Sequence, residues 1–362
     1  MKKVLTDRLG HWLDCLFGYY SDKIKIIANV LVHDWRMLPP MLYLSDFYFL
    51  KITEQEIRNN LAGLDEQSLE CVLKYIRWHQ TLVVSRENIG NFFYNHDKYF
   101  SLQDKKLRTG MQKILSKLGK KYVFPCIGPE SLLFHHGLPF FPEAVIHYLQ
   151  GGSFVDAGAC YGDSTLIFSR FYNPGKIYAF EPSEKNREIM KEIMAGCNVP
   201  NECYEIIPFG VGEKQEQLLF CEQESPSFGI QKNGGGVSVE ILSLDQYVKE
   251  HSVKKIRLIK ADLEGMGLAM LKGAQQTIRE NRPILTLSIY HNREELFEIY
   301  RTLRSWNLDY EFTIRSTAHP LVFEEIALLG YPAELNPAEE KWKPDETVFK
   351  NIFESAQVLL HN

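Results

Sequence analysis

Residues 154 to 165 read FVDAGACYGDST, and the whole fold can be argued outward from them. Two apolar residues run into Asp156. Gly158 and Gly162 then bracket Ala159, Cys160 and Tyr161, and Asp163, Ser164 and Thr165 follow. This is the pattern of a strand that turns through glycines into a helix. Gly158 is expected to take a backbone conformation denied to other residues, and Gly162 to let the next helix approach closely. Open parallel sheets bind ligands at the carboxyl ends of their strands, near the point where strand order reverses. The loop therefore meets a ligand with its own amides at a helix N-terminus.

Around that corner, strand-like runs alternate with helical ones. GSFVDAG (152–158) reads as a strand and Asp163–Phe171 as a helix; GKIYAFEP (175–182) is the next strand and Ser183–Ala195 its helix. CYEIIPFGVG (203–212) reads as a third strand. IRLIKADLEG (256–265) is a fourth, followed by a helix over Met266–Glu280, and PILTLSIYH (283–291) a fifth, followed by Glu294–Trp306. YEFTIR (310–315) and FEEIALLGYP (323–332) close the series, and GGGVSVEILSLDQYV (234–248) is expected to add a strand ahead of the fourth. Apolar strands alternating with helices imply an α/β fold. Its sheet is mostly parallel and covered on both faces, with an antiparallel addition at the end.

The chain has 362 residues, too long for one ordinary core. Residues 1–120 read as a helical N-terminal domain. Leu69, Val72, Leu73 and Ile76 fall on one helical face, with Asp65 as N-cap, and Leu107, Met111, Ile114, Leu115 and Leu118 fall on another, with Gly119 as a stop. The Pro- and Gly-rich stretch at 123–143 reads as a linker, residues 121–335 as the ligand-binding domain, and 336–362 as a C-terminal helical extension. That last helix, with Val348, Ile352, Leu359 and Leu360, is expected to pack on the core or to form a homodimer contact.

A net charge of −5 argues against nucleic-acid binding, which usually shows a basic excess. No apolar run approaches the roughly 18 residues of a membrane span, and Asp7, Arg8 and Asp14 interrupt any secretory core. The seven cysteines are scattered and never in C-x-x-C spacing, which fits reduced thiols in a cytoplasm and no metal site.

The second strand ends in Phe-Glu-Pro. Glu181 lies there, where an acidic side chain accepts hydrogen bonds from both hydroxyls of a ribose, so an adenosine-containing cofactor is implied. The dinucleotide fingerprint G-x-G-x-x-G does not match, since no glycine stands at 160 or 163; this counts against an NAD-dependent oxidoreductase without removing it. No P-loop motif occurs.

FVDAGACYGDST, IYAFEPSEKNREIM and IRLIKADLEGMGLAMLKGAQQTI, in that order, resemble the FkbM family of S-adenosylmethionine methyltransferases, over about residues 130 to 332. The resemblance implies a class I methyltransferase fold and S-adenosylmethionine as methyl donor. The residues it assigns to the cofactor are Asp156, Gly158, Ala159, Tyr161, Gly162, Asp163, Ser164, Thr165, Glu181, Pro182 and Asp262. Phe209 and Gly210 are assigned to the adenine. The sequence departs from the family pattern at Cys160, where Asn is frequent, and at Gly267, where Glu is common. The second departure is expected to reshape the floor of the acceptor pocket. It also keeps open a catalytically inactive partner protein in glycan synthesis.

The chemistry is expected of Lys260, Asp262 and Glu264, which alternate along a strand end and so share a face, and of His291 at the end of the fifth strand. Asp262 is the favoured general base and His291 its rival; the other reading of the triplet is a structural ion-pair cluster. His135 and His136 could cover the site. The reaction the resemblance implies is O-methylation of a sugar or another polyhydroxylated small molecule.

Overall fold

The computed structural model describes residues 52–84, 102–125, 128–222, 228–230, 237–318 and 325–361. Parts of the expected N-terminal domain, residues 1–51 and 85–101, lie outside them. Seven strands form the main sheet: β1 (Ser153–Ala157), β2 (Lys176–Phe180), β3 (Tyr204–Ile207), β8 (Ile256–Ala261), β9 (Ile284–Ser288), β10 (Tyr310–Ser316) and β11 (Ile326–Pro332). Their order is β10-β11-β9-β8-β1-β2-β3. All pairs are parallel except those of β11, which runs antiparallel to both β9 and β10. This is the class I methyltransferase order. The reversal falls between β1 and β8, so the corner at Asp156–Thr165 opens at the switch point.

The strands are continuous apolar runs because both faces are covered. The helices α6 (Asp163–Phe171), α7 (Glu184–Gly196), α8 (Leu244–Glu250), α9 (Gly267–Gly273), α10 (Gln275–Asn281) and α11 (Arg293–Ser305) follow the strands. Ser183 caps α7 by accepting from the Asn186 amide, and Asn292 caps α11 by accepting from the Glu295 amide. The expected single helix over 266–280 is two, broken at Ala274. The expected third strand is also two. After β3 the chain leaves the main sheet and β4 (Gly210–Gly212) joins a second sheet, β4-β7-β5-β6, with β5 (Glu216–Glu222), β6 (Phe228–Ile230) and β7 (Val237–Ser243). Pro208 at the junction removes a ladder donor.

The described helices ahead of residue 120 pack on the main sheet. Ile57 and Leu61, in and just after α1 (Glu54–Asn60), and Val72, Tyr75 and Ile76 of α2 (Glu66–Val84) share one hydrophobic cluster with Ile259, Leu285 and Ile314 of the main sheet. Met111, Ile114 and Leu118 of α3 (Leu102–Tyr122) share the other with Phe154, Phe168 and Leu258. Among the described residues, packing continues across the boundary expected near 120. Periodicity shows that a helix has an apolar face but not which surface that face meets. Asp65 does cap α2, taking the Ser68 amide at 2.6 Å, and it also pairs with buried Arg315 of β10 at 3.0 Å. Gly119 does not stop α3, which runs on to Tyr122. Lys121 and Tyr122 there donate to the carbonyls of Leu359 and Leu360 at the end of α12 (Asp345–His361). Val348, Ile352 and Leu359 are buried against this same cluster, so the stripe that suggested a dimer contact is covered within the chain.

The described residues of the linker at 123–143 are also structured. It holds a short helix α4 (Pro129–Leu132), a 3-10 turn over His135–Phe140 and the start of α5 (Glu143–His147). Leu132, Leu133, Phe134, Leu138, Phe140 and Phe141 are fully buried. Among the described residues, no helix is long and apolar enough to cross a membrane.

Candidate active site

Asp156 is fully buried at the end of β1. One carboxylate oxygen accepts from Ser164 at 2.6 Å and Thr165 at 2.7 Å; the other lies 3.1 Å from Lys260 Nζ. Burial alone would raise this carboxyl, but Lys260 and the two hydroxyls outweigh it and hold it low. Lys260, also buried, donates to the Gly158 carbonyl at 2.8 Å. Burial opposes its charge, yet Asp156, Asp262 and Asp163 keep it above the usual lysine range. A buried clamp thus ties β1, β8 and the start of α6 to the glycine loop. At Gly158, with φ +80°, a Cβ would lie 2.0 Å from the Asp262 carbonyl; at Gly162, with φ +82°, it would lie 2.7 Å from Met190 Cγ of α7. Both positions require glycine.

This corner opens on a cavity of about 250 Å³. Of the expected cofactor residues, Gly158, Tyr161, Asp163, Glu181, Pro182, Gly210 and Asp262 line it. Asp156, Ala159, Gly162, Ser164, Thr165 and Phe209 do not. The first five build the corner from behind, and Phe209 turns to the hydrophobic cluster under the sheet. Val211, Phe220 and Ile241 of the second sheet, with Leu263 and Met266, supply the apolar wall beside Gly210 instead. No local motif marks Phe220 or Ile241, because a hairpin outside the main sheet brings them there.

Glu181 meets the glycine loop directly. Its Oε2 accepts the Cys160 amide at 2.9 Å, and its Oε1 accepts the Ser183 amide at 2.8 Å and Asn186 at 3.3 Å. A carboxylate has about four lone-pair sites. One therefore remains on Oε2, enough for one ribose hydroxyl rather than the two expected. Burial pushes the carboxyl up to about 7 despite these donors. The strained glycine turn, the adjacent carboxylate and the apolar wall beside it fit S-adenosylmethionine: Gly158 for close backbone approach, Glu181 for ribose, and Val211, Phe220 and Ile241 for adenine.

The other side of the cavity departs from the sequence reading. Lys260, Asp262 and Glu264 all line it, but β8 ends at Ala261 and Glu264 has φ +49°, so no strand alternation carries the third. His291 does not line the cavity. It stands behind Asp262, with Nε2 3.1 Å from Asp262 Oδ1 and Nδ1 2.8 Å from Glu295 Oε2. Burial disfavours its charge, but Asp262 and Glu295 outweigh that and hold the imidazole protonated well above its usual range. Tyr290 donates to Asp262 at 3.1 Å. Burial would raise Asp262; His291 and Lys260 outweigh it and hold the carboxyl well below the ordinary carboxylate range. The pair thus favours an ionised Asp262 beside a protonated His291.

Gly267 is also not part of the cavity lining. Its amide donates to Glu295 Oε1 at 2.6 Å, and a Cβ there would lie 2.8 Å from that oxygen. Glu295, buried on α11, delivers a carboxylate to the place a side chain at 267 would enter. Glu130 of α4, Tyr290 and Glu325 also line the cavity without any motif to announce them, and of the two histidines expected to cover the site His136 lines it and His135 does not. Burial pushes the His136 ring down to about 3, so it is neutral. Burial and the charge of Asp163 push Glu130 up to about 8.

A seven-stranded sheet of this order, with a glycine loop and an acidic residue at the next strand end, is the class I methyltransferase fold. Residues 156–312 match the family model of the Methyltransferase FkbM domain. No curated protein matches the chain. Among solved structures it is similar to a methyltransferase FkbM from Methylobacillus flagellatus KT, with 19% identity and TM-score 0.49, covering 77% of this chain and 58% of that one. The present chain thus spans less than two thirds of that protein's length. It is also similar to an O-methyltransferase from Bacillus cereus in complex with SAH, with 13% identity and TM-score 0.39, covering 62% of this chain and 90% of that one. A putative methyltransferase from Streptococcus mutans in complex with SAH matches at 13% identity and TM-score 0.34, covering 52% and 96%.

Proposed function

We propose that the protein is an O-methyltransferase that transfers the methyl group of S-adenosylmethionine to a hydroxyl of a sugar or another polyhydroxylated small molecule. The observation that carries this reading is the composition of the cavity wall opposite the apolar one. Glu130, Asp262, Glu264, Tyr290 and Glu325 line it, and such a wall hydrogen-bonds hydroxyl groups on several sides. The bound donor supplies a methyl carbon on a positively charged sulfur. The chain then has to align the acceptor for in-line attack and remove its proton. Asp262, ionised and braced by His291 and Tyr290, is a fixed negative charge on the cavity wall. Lys260 is a positioning residue that holds the Gly158 carbonyl.

Cys160 and Asp163, standing where the dinucleotide fingerprint has glycine, favour this reading over hydride transfer. That Gly267 is backed by Glu295 and lies off the cavity weakens the case for an inactive partner protein. The test is a screen of sugars, nucleotide sugars and glycolipid intermediates with labelled S-adenosylmethionine. The expected result is S-adenosylhomocysteine formed in step with a methyl ether. Methylation of amines or carboxylates but of no hydroxyl would overturn the reading.

A further inference from the structure

We propose that Glu130 is the base that takes the proton from the acceptor hydroxyl. The proposal rests on the methyl-transfer reading above and names a residue that reading leaves unassigned. Asp262, Lys260 and His291, three of the residues expected from the sequence to carry the chemistry, are occupied. Asp262 receives Tyr290 and faces protonated His291. Lys260 is itself a cation, tied to Asp156 and the Gly158 carbonyl. His291 lies behind the wall with a carboxylate at each ring nitrogen.

Glu130 is placed differently. The short α4 brings it to the same cavity from the segment ahead of β1. Its carboxyl folds back over Gly128, where a Cβ would lie 1.9 Å from Oε2, so the glycine lets it adopt that pose. The charged groups acting on it are Asp163 from α6, and Asp262 and Lys260 from the end of β8. His136, Glu264, Tyr290 and Glu325 share the cavity wall. Burial and the two aspartates raise the carboxyl to about 8, close to the operating pH at which a general base works best.

The same crowding makes the base responsive to the donor. S-adenosylmethionine carries a sulfonium and an ammonium charge against one carboxylate, a net positive charge. Positive charge entering a cavity that holds Asp163 and Asp262 favours ionised Glu130, so donor binding expels its proton and readies it. In the transfer, the acceptor O–H bond breaks and its proton goes to a Glu130 oxygen. The acceptor oxygen's electron pair forms the new bond to the methyl carbon. The pair of the broken C–S bond stays on sulfur, leaving a neutral thioether.

The proton release is measurable without knowing the acceptor. Calorimetric titration of the full chain with S-adenosylmethionine, at about pH 7.5 in two buffers of different ionisation heat, counts protons released. A carboxyl at about 8 is roughly three-quarters protonated there and should release roughly that fraction of a proton. S-adenosylhomocysteine, lacking the sulfonium charge, should release less. Affinity for the donor should rise with pH up to about 8, by at most about tenfold per unit. Glu130→Gln should abolish most of the release while changing the donor Kd by less than about threefold, and with an acceptor in hand turnover should fall by about 10²–10⁴. Glu130→Asp should retain release, and thermal melting checks that both variants fold. If the Gln variant does not fold, the wild-type proton count and the contrast between the two ligands decide alone.

Donor binding without proton release overturns the proposal, as does unchanged release in Glu130→Gln. A Kd weakened more than about tenfold with turnover retained also overturns it, making Glu130 an anchor for the donor's ammonium. Failure of the wild type to bind the donor at all would instead overturn the methyl-transfer reading itself.

Discussion

Lys260→Met is the sharpest probe of the buried corner. The substitution keeps the length of the side chain and removes its charge. It leaves Asp156, fully buried, with only the hydroxyls of Ser164 and Thr165. Breaking a buried ion pair by removing one partner costs about 3–5 kcal/mol, because a charge remains uncompensated. Lys260→Met should therefore lose about that much stability in urea unfolding near neutral pH. The loss should shrink with acid, and the signs follow from the pKa directions. In the wild type the folded Asp156 carboxyl lies below its unfolded value; its stabilisation is present above the unfolded pKa and disappears as pH falls through the folded one. In the variant the folded carboxyl lies above the unfolded value, so the penalty is complete at neutral pH and falls as the buried group protonates. Lys260, raised in the folded state, keeps its share until the pH passes the ordinary lysine range. Adding Asp156→Asn to Lys260→Met removes the stranded charge and should recover at least about 2 kcal/mol, a coupling only a contacting pair gives. Donor affinity should fall in the single variant, since Lys260 also holds the Gly158 carbonyl. The reasoning is refuted if Lys260→Met costs less than about 1 kcal/mol and the double variant is no more stable than the single. If it folds, binds donor normally and loses only turnover, Lys260 is a catalytic residue and not a clamp.

Three further outcomes are expected. If Glu181 holds the ribose, Glu181→Ala removes a buried charged hydrogen bond worth about 1.5–3 kcal/mol, so calorimetry should show donor affinity weaker by about 10- to 150-fold; equal affinity would move the ribose elsewhere. Gly267→Glu pushes a side chain against Glu295 and Ile299 and should cost at least about 1–3 kcal/mol by overpacking. Adding Glu295→Ala should be less harmful in that background than in the wild type, as denaturant titration of the four proteins would reveal. A fragment beginning near residue 121 strips the main cores of Leu61, Val72, Tyr75, Ile76, Met111 and Leu118, among others. At about 1.5–3 kcal/mol each, these side chains rival the about 5–15 kcal/mol that keeps a domain folded. The fragment should show no cooperative melting by circular dichroism, whereas a sharp transition and donor binding would restore a separable N-terminal domain.

The sequence by itself determined the elements around the ligand corner. Alternating apolar strands and amphipathic helices mark themselves by local periodicity. A glycine that must adopt φ +80° is a local constraint, so Gly158 and Gly162 were legible, as was Glu181 at the next strand end. Asp65, Ser183 and Asn292 could cap their helices for equally local reasons.

The tertiary structure alone decided what each polar group faces. Whether Lys260 is a catalyst or a clamp depends on Asp156, about a hundred positions away in sequence. His291 and Asp262 looked like rival bases; only their 3.1 Å approach and the second carboxylate of Glu295 show that one is held charged by the other. Glu295 stands against Gly267 because α9 and α11 pack together, which no motif spells. Glu130 sat in a stretch read as linker. Its proton affinity is a property of the cavity, since burial and the charges of Asp163 and Asp262 arise only when three distant segments converge.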